Sequence, residues 1–162
     1  HLVPAFVGLG APHWRPDARG LISGLTLDAT GAHLARAALE SVAFQTRDLV
    51  AAMAADVTAR AAAIRVDGGM AANDWFCQFL ADVLDARVER PAEVETTALG
   101  AAFLAGLATG VWPDLAAVAA TWAGGVEFRP AMAPERRKSL LAGGKSHCEG
   151  RLQPETPNVD LM

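Results

Sequence analysis

The sequence has no block of basic residues, no apolar run long enough to span a bilayer and only two cysteines among its 162 residues. Each absence removes a class of function. Fourteen Lys and Arg stand against eighteen Asp and Glu, a net charge of −4, so neither nucleic acid nor an anionic membrane surface is an expected partner. Cys77 and Cys148 lie too far apart for a zinc pattern or a disulfide framework, which points to a reducing compartment. The longest apolar run is Ala98 to Ala108, and no charged-then-apolar leader opens the chain. A soluble, cytoplasmic protein is the expectation. Residue 1 is His and not Met, so the chain also reads as a piece of something longer.

What the sequence does contain is 52% hydrophobic residues, enough for one domain with a real core. That domain is organised around Ala62 to Asn73, AAIRVDGGMAAN, an apolar strand followed by a double glycine and a helix start. A short strand ending in Asp67-Gly68-Gly69 is how a parallel sheet delivers a ligand to a strand's carboxyl end. Without Cβ atoms, Gly68 and Gly69 can take positive φ and let the backbone lie flat against a ring or a phosphate. Beyond them Asn73 is a good N-cap, and Phe76, Phe79, Leu80, Val83 and Leu84 recur at helical spacing. Two readings stand side by side: a nucleotide turn, or a plain strand-to-helix connection that needs glycine for its geometry alone.

The remaining elements follow in order. Leu2 to Phe6 reads as a strand end. Gly8, Gly10, Pro12 and Pro16 then make a long loop carrying His13, Trp14 and Arg15, none of which is assigned a role; the loop is expected to pack on its aromatic. Gly20 to Leu25 reads as a short strand whose backbone is closely approached. A helix opens at Thr30 or Gly31 and runs to about Ala55, with an apolar stripe through Leu34, Ala38, Val42, Leu49 and Met53. Gln45 falls on that stripe as either a bonded core amide or a site residue. The pairs Arg36–Glu40 and Arg47–Asp48 mark a solvated or interdomain face.

A second short strand spans Ala86 to Arg90 and is closed by Pro91. Thr97 is expected to cap the next helix, whose Gly100, Ala101, Ala105 and Gly106 permit close approach to the sheet or to another helix. Gly110 ends it, and Asp114 caps a short helix to about Trp122. These elements give a domain over residues 1–142. From Gly143 onward the sequence loses periodicity and gains Pro, Gly and polar residues, so residues 143–162 are expected to form an irregular tail.

Four stretches together resemble one family. They are VPAFVGLGAPHWRPDARG, GLISGLTLDATGAHLARAALESVAFQTRD, RVDGGMAANDWFCQFLADVL and VERPAEVETTALGAAFLAGLATGVW. The chain is similar over residues 2 to 130 to the carboxyl-terminal domain of FGGY carbohydrate kinases. Within the second stretch, Gly20 to Leu25, then seven residues, then His33-Leu34 and Ala37 to Glu40, resembles a signature of that family. The GLGAP loop, AFQTRD and ETTALGAA favour its glycerol-phosphorylating members over those acting on xylulose or gluconate.

The resemblance implies an α/β fold: the carboxyl-terminal part of the actin-like ATPase (ribonuclease H-like) sugar kinase architecture, rich in helix and incomplete relative to the full family domain. It implies ATP with Mg2+ as cofactors, glycerol or a related polyol as substrate, an amino-terminal lobe absent from this sequence, and homo-oligomers in the full-length form. By the family's pattern Gly69 and Asn73 contact the nucleotide. No catalytic residue and no metal ligand is named here, because the family's base and polyol contacts lie upstream; Asp67 belongs to the turn. Another FGGY sugar kinase, or a non-catalytic nucleotide-binding or interaction module on the same fold, are the alternative readings.

Overall fold

In the computed structural model, residues 1–56, 62–121 and 124–149 are described. They fall into two compact units, the first drawn from His1–Thr58 and Met132–Met162 and the second from Ala59–Ala131. The sequence had read as one domain over residues 1–142.

The first unit pairs β1 (Leu2–Val3) with β2 (Leu21–Ile22) in antiparallel register, Leu2 opposite Ile22. Between them the chain folds back on itself, with Leu9 and Arg15 exchanging both backbone hydrogen bonds at 2.8 Å. Ala5, Leu9 and Ala18 form a small buried cluster against Val3. Gly20 is closely approached as expected: a Cβ there would meet the Phe6 ring at 2.8 Å.

Helix α1 (Gly31–Asp56) packs on β1. Its alanine-rich sequence favours helix by propensity, and Thr30 and His33 close its first turn. The Thr30 amide donates to His33 Nδ1 at 3.1 Å, so the imidazole acts where a capping box usually has Glu. The predicted stripe is not the buried one. Leu34, Leu49 and Met53 are 38%, 40% and 57% exposed, and the buried positions are Ser41 and Ala43. Helix α5 (Pro134–Glu149) completes the unit. It carries helix through Gly143 to Glu149, where a loose tail was expected; residues 150–162 of that tail lie outside the described residues.

The second unit holds the larger core. β3 (Ile64–Arg65) pairs parallel with β4 (Val88–Arg90), which pairs antiparallel with β5 (Val126–Phe128), giving the order β3-β4-β5. Between β3 and β4 lie a 3-10 turn (Gly69–Ala72) and helix α2 (Asp74–Leu84). The helix buries Phe76, Phe79, Leu80 and Val83 of the stripe read from the sequence, and Cys77 besides; Leu84, the last of that stripe, is half-buried, and Val88 and Phe128 from the strands are buried alongside. Asp82 is buried too, and accepts the Ala131 amide at 2.6 Å and Gln78 Nε2 at 3.2 Å. A charged ladder of Arg65, Glu89, Arg87, Glu127 and Arg129 crosses the three strands, with contacts of 2.5–3.2 Å.

Helix α3 (Thr96–Thr109) ends on Gly110 in the left-handed region, as expected. Its start differs from the reading of Thr97 as cap: Glu95 holds the cap position and makes no side-chain bond. Its small residues also serve a different neighbour. Gly106 makes room for the Trp112 ring, which would overlap any Cβ there, and Phe103 meets that ring edge-on at 5.2 Å. Asp114 caps α4 (Leu115–Ala120) through the Ala117 amide at 2.8 Å; Trp122, the expected end of that helix, lies outside the described residues. Among the described residues no helix is long and apolar enough to cross a membrane.

Leu80 is 2% exposed at the centre of the α2 face, so Leu80→Ala should cost about 2–5 kcal/mol of unfolding free energy, read by urea titration of the helical circular dichroism. Leu104→Ala, on α3 and 69% exposed, should stay within about 0.5 kcal/mol. Equal losses would contradict this placement of the core.

Candidate functional site

The Asp67-Gly68-Gly69 turn sits where β3 ends, beside the carboxyl end of its parallel neighbour β4. Such an adjacent pair of strand ends is where open α/β sheets place ligands. The ladder runs one step past β3, with the Val66 amide donating to the Glu89 carbonyl at 3.0 Å. The chain then breaks direction at Gly68, with φ 78° and ψ 177°. That conformation is essentially reserved for glycine. Gly69 differs from the expectation of two glycines with positive φ: only Gly68 of the pair has it. What Gly69 offers is openness, since a Cβ built there meets nothing within 4 Å.

Past Gly69 the 3-10 turn closes through the Ala71 amide on the Gly68 carbonyl at 3.0 Å and the Asn73 amide on the Met70 carbonyl at 3.1 Å. Asn73 then caps α2, its Oδ1 accepting the Phe76 amide at 3.1 Å. Capping uses the carbonyl oxygen alone. The side-chain NH2 brings two donors to the same exposed surface, so capping and ligand contact draw on different atoms of Asn73.

The turn is held from beneath. Ala71 is 1% exposed, and its carbonyl accepts from Arg90 Nη1 at 2.8 Å and from the Cys77 thiol at 3.2 Å. Arg90 also binds Asp74 at 2.7 Å and lies over the Phe128 ring, 5.4 Å from its centroid. Desolvation raises the Cys77 pKa, so this buried thiol is a packing group and a weak donor, unsuited to act as a nucleophile. From the other side the Gly68 amide donates to the Val94 carbonyl at 3.1 Å, and the Thr96 hydroxyl donates to the Asp67 carboxylate.

Gly69 and Asn73 are therefore brought together on one exposed turn. Arg90, Val94 and Thr96, which support it, were not singled out by sequence reasoning. Their signal lay inside the quoted VERPAEVETT stretch, where a strand end and a helix start each carry a side chain that reaches back to the turn across sixteen to twenty-nine residues of sequence.

Other flagged residues are in the first unit. Trp14 is 74% exposed at φ 50°, so its loop closes through backbone bonds and not by packing on the aromatic. Arg15 pairs with Asp17 at 2.6 Å, and that hydrogen bond holds the Asp17 carboxyl down to about 2. Gln45 is exposed and not a core amide; it lines a cavity of about 260 Å³ with Leu2, Phe44, Arg47 and Asp48. His13 approaches Asp48 at 3.6 Å, while Arg36–Glu40 and Arg47–Asp48 form the expected surface pairs. Among the described residues no group of three or more His, Cys, Asp or Glu is placed to hold a metal ion.

A parallel β-α-β unit with an open glycine turn at its carboxyl end defines an α/β domain. Residues 1–109 match the C-terminal domain of the FGGY family of carbohydrate kinases, and the chain belongs to that family. It is 57% identical over 157 residues to a glycerol kinase of Gluconobacter oxydans, an alignment that covers 97% of this chain and 31% of that protein. Among solved structures it is similar to the Plasmodium falciparum glycerol kinase with ADP, with a TM-score of 0.78 and 37% identity over 93% of this chain and 30% of that one. A xylulose kinase from Lactobacillus acidophilus follows at a TM-score of 0.71 and 25% identity, again over 93% of this chain and 30% of that one. The fold is thus a helix-rich α/β part of the actin-like sugar kinase architecture. The chain spans about a third of the length of the relatives it matches.

The two glycines should separate by experiment. Gly68→Ala should cost about 1–3 kcal/mol of stability because its backbone is confined to the glycine region, whereas Gly69→Ala should remain within about 0.5 kcal/mol. Chemical denaturation followed by circular dichroism reads both; matching losses would contradict the described turn.

Proposed function

We propose that this chain supplies the adenosine-binding side of an ATP-dependent glycerol kinase, a cytoplasmic enzyme that converts glycerol to glycerol 3-phosphate. The observation that carries the reading is the exposed Gly69–Asn73 turn at the carboxyl ends of two parallel strands. In this reading the bare backbone at Gly69 lies flat against the adenosine, and the Asn73 NH2 group donates to it. ATP supplies the transferable phosphoryl group when bound. Mg2+ accompanies the phosphates of such nucleotides, and no residue of this chain is assigned to hold it.

The likeness to a glycerol kinase solved with ADP, and the 57% identity to a curated glycerol kinase, support both the nucleotide and the polyol. The likeness to the xylulose kinase, at 25% identity, supports the shared fold more than a shared substrate. No general base is assigned here. Asp67 leads into the turn, and its carboxylate is engaged by the Thr96 hydroxyl. The base, most polyol contacts and the second lobe belong, in this proposal, to the length of the relatives that this chain does not span, and the full-length protein acts as a homo-oligomer.

The test is a graft in which these 162 residues replace the matching third of the Gluconobacter relative. Glycerol-dependent ADP formation is expected. Gly69→Val in the graft should raise the KM for ATP by about tenfold or more through steric bulk, with the KM for glycerol little changed. An unchanged KM for ATP in a folded Gly69→Val graft, or preference for xylulose over glycerol, would overturn the reading.

A further inference from the structure

We infer that Thr96 is a positioning residue for the nucleotide, setting affinity by clamping Asp67 and so fixing the direction in which the Gly69 backbone faces. The inference rests on the adenosine site proposed above and extends it to a residue that touches no ligand.

The argument begins with how little the sheet itself holds. β3 is two residues long and lies at the edge of the order β3-β4-β5, so its ladder ends at Val66. Past it the chain turns at Gly68, which has no Cβ and sits at φ 78°. Left to itself, a glycine there is a hinge. A turn that swings about Gly68 carries Gly69 with it, and any ligand must then order the turn at the expense of affinity.

Two clamps flank that hinge. On the far side Arg90 grips the Ala71 carbonyl at 2.8 Å and Asp74 at 2.7 Å, tying the 3-10 turn and the start of α2 to β4. On the near side the Thr96 hydroxyl donates to Asp67 Oδ2, and the Gly68 amide reaches the Val94 carbonyl at 3.1 Å. Thr96 is the first residue of α3, so its hydroxyl is carried on a helix end and not on a free loop. The same helix has no side-chain cap at Glu95. The Thr96 hydroxyl, at the start of α3, is directed to the turn. A hydrogen bond to an ionised carboxylate is stronger than one between neutral groups, which suits a clamp on an exposed segment.

The test titrates ADP calorimetrically into the graft with the Gluconobacter relative and its variants, with amide hydrogen exchange of residues 69–72 measured in the absence of nucleotide. Thr96→Val keeps the shape and removes the donor; it should weaken ADP by about five- to tenfold and speed exchange across residues 69–72, leaving the amides in the middle of α2 unchanged. Thr96→Ser restores the hydroxyl and should return affinity to within about twofold of the original. A purely structural role for Thr96 would instead lower the thermal midpoint without moving exchange at the turn. If Thr96→Val leaves both affinity and exchange unchanged while Gly69→Val weakens ADP, the clamp is wrong and the adenosine site stands. If Gly69→Val leaves ADP affinity unchanged, or the folded graft binds no ADP, the site itself is wrong and the inference falls with it.

Discussion

The burial of α2 against the three-stranded sheet is the constraint on which the rest of the second unit depends. Phe76, Phe79, Leu80 and Val83 are each 5% exposed or less, and Val88 is fully buried with them. Removing that much apolar surface from water fixes the helix in place. Its amino end fixes Asn73, and Asn73 ends the turn that begins at Gly68. Polar bonds then sharpen what burial has set. Gln78 reaches the Arg129 carbonyl at 2.9 Å and Asp82 accepts the Ala131 amide, so the chain leaving β5 is tied to the same helix. The turn joins that core only through Ala71 and inherits its order from it.

Much of this was legible in the sequence, and for a common reason. The α2 stripe, the Asn73 cap, the Gly110 stop and the Asp114 cap are all local: each depends on side chains within one or two helical turns. The strand-glycine-glycine-helix order likewise placed Gly69 and Asn73 on one turn. The four stretches marked the family because each couples a turn to the element that follows it, and the match over residues 1–109 agrees.

The misreadings share a cause as well. Periodicity named an apolar stripe on α1 but could not say which neighbours would cover the helix, and the positions covered are Ser41 and Ala43 while Leu49 and Met53 stay exposed. Small residues on α3 suggested close approach to the sheet or to another helix, whereas the group filling the space at Gly106 is Trp112, six residues along the same chain. Paired glycines suggested paired positive φ, yet one such residue suffices to turn the chain, and the second is free to be open surface. The supports of the turn, Arg90 and Thr96, are contacts over sixteen to twenty-nine residues, beyond any local pattern.

The central claim is that the Gly69–Asn73 turn is where adenosine binds, and amide chemical shifts test it most directly. In a nitrogen-15 correlation spectrum of the chain titrated with ADP, the account predicts that the largest shifts cluster at Gly68, Gly69, Asn73 and the Asn73 side-chain NH2. Shifts concentrated instead on the cavity beside Phe44 and Gln45, with the turn unmoved, would contradict it.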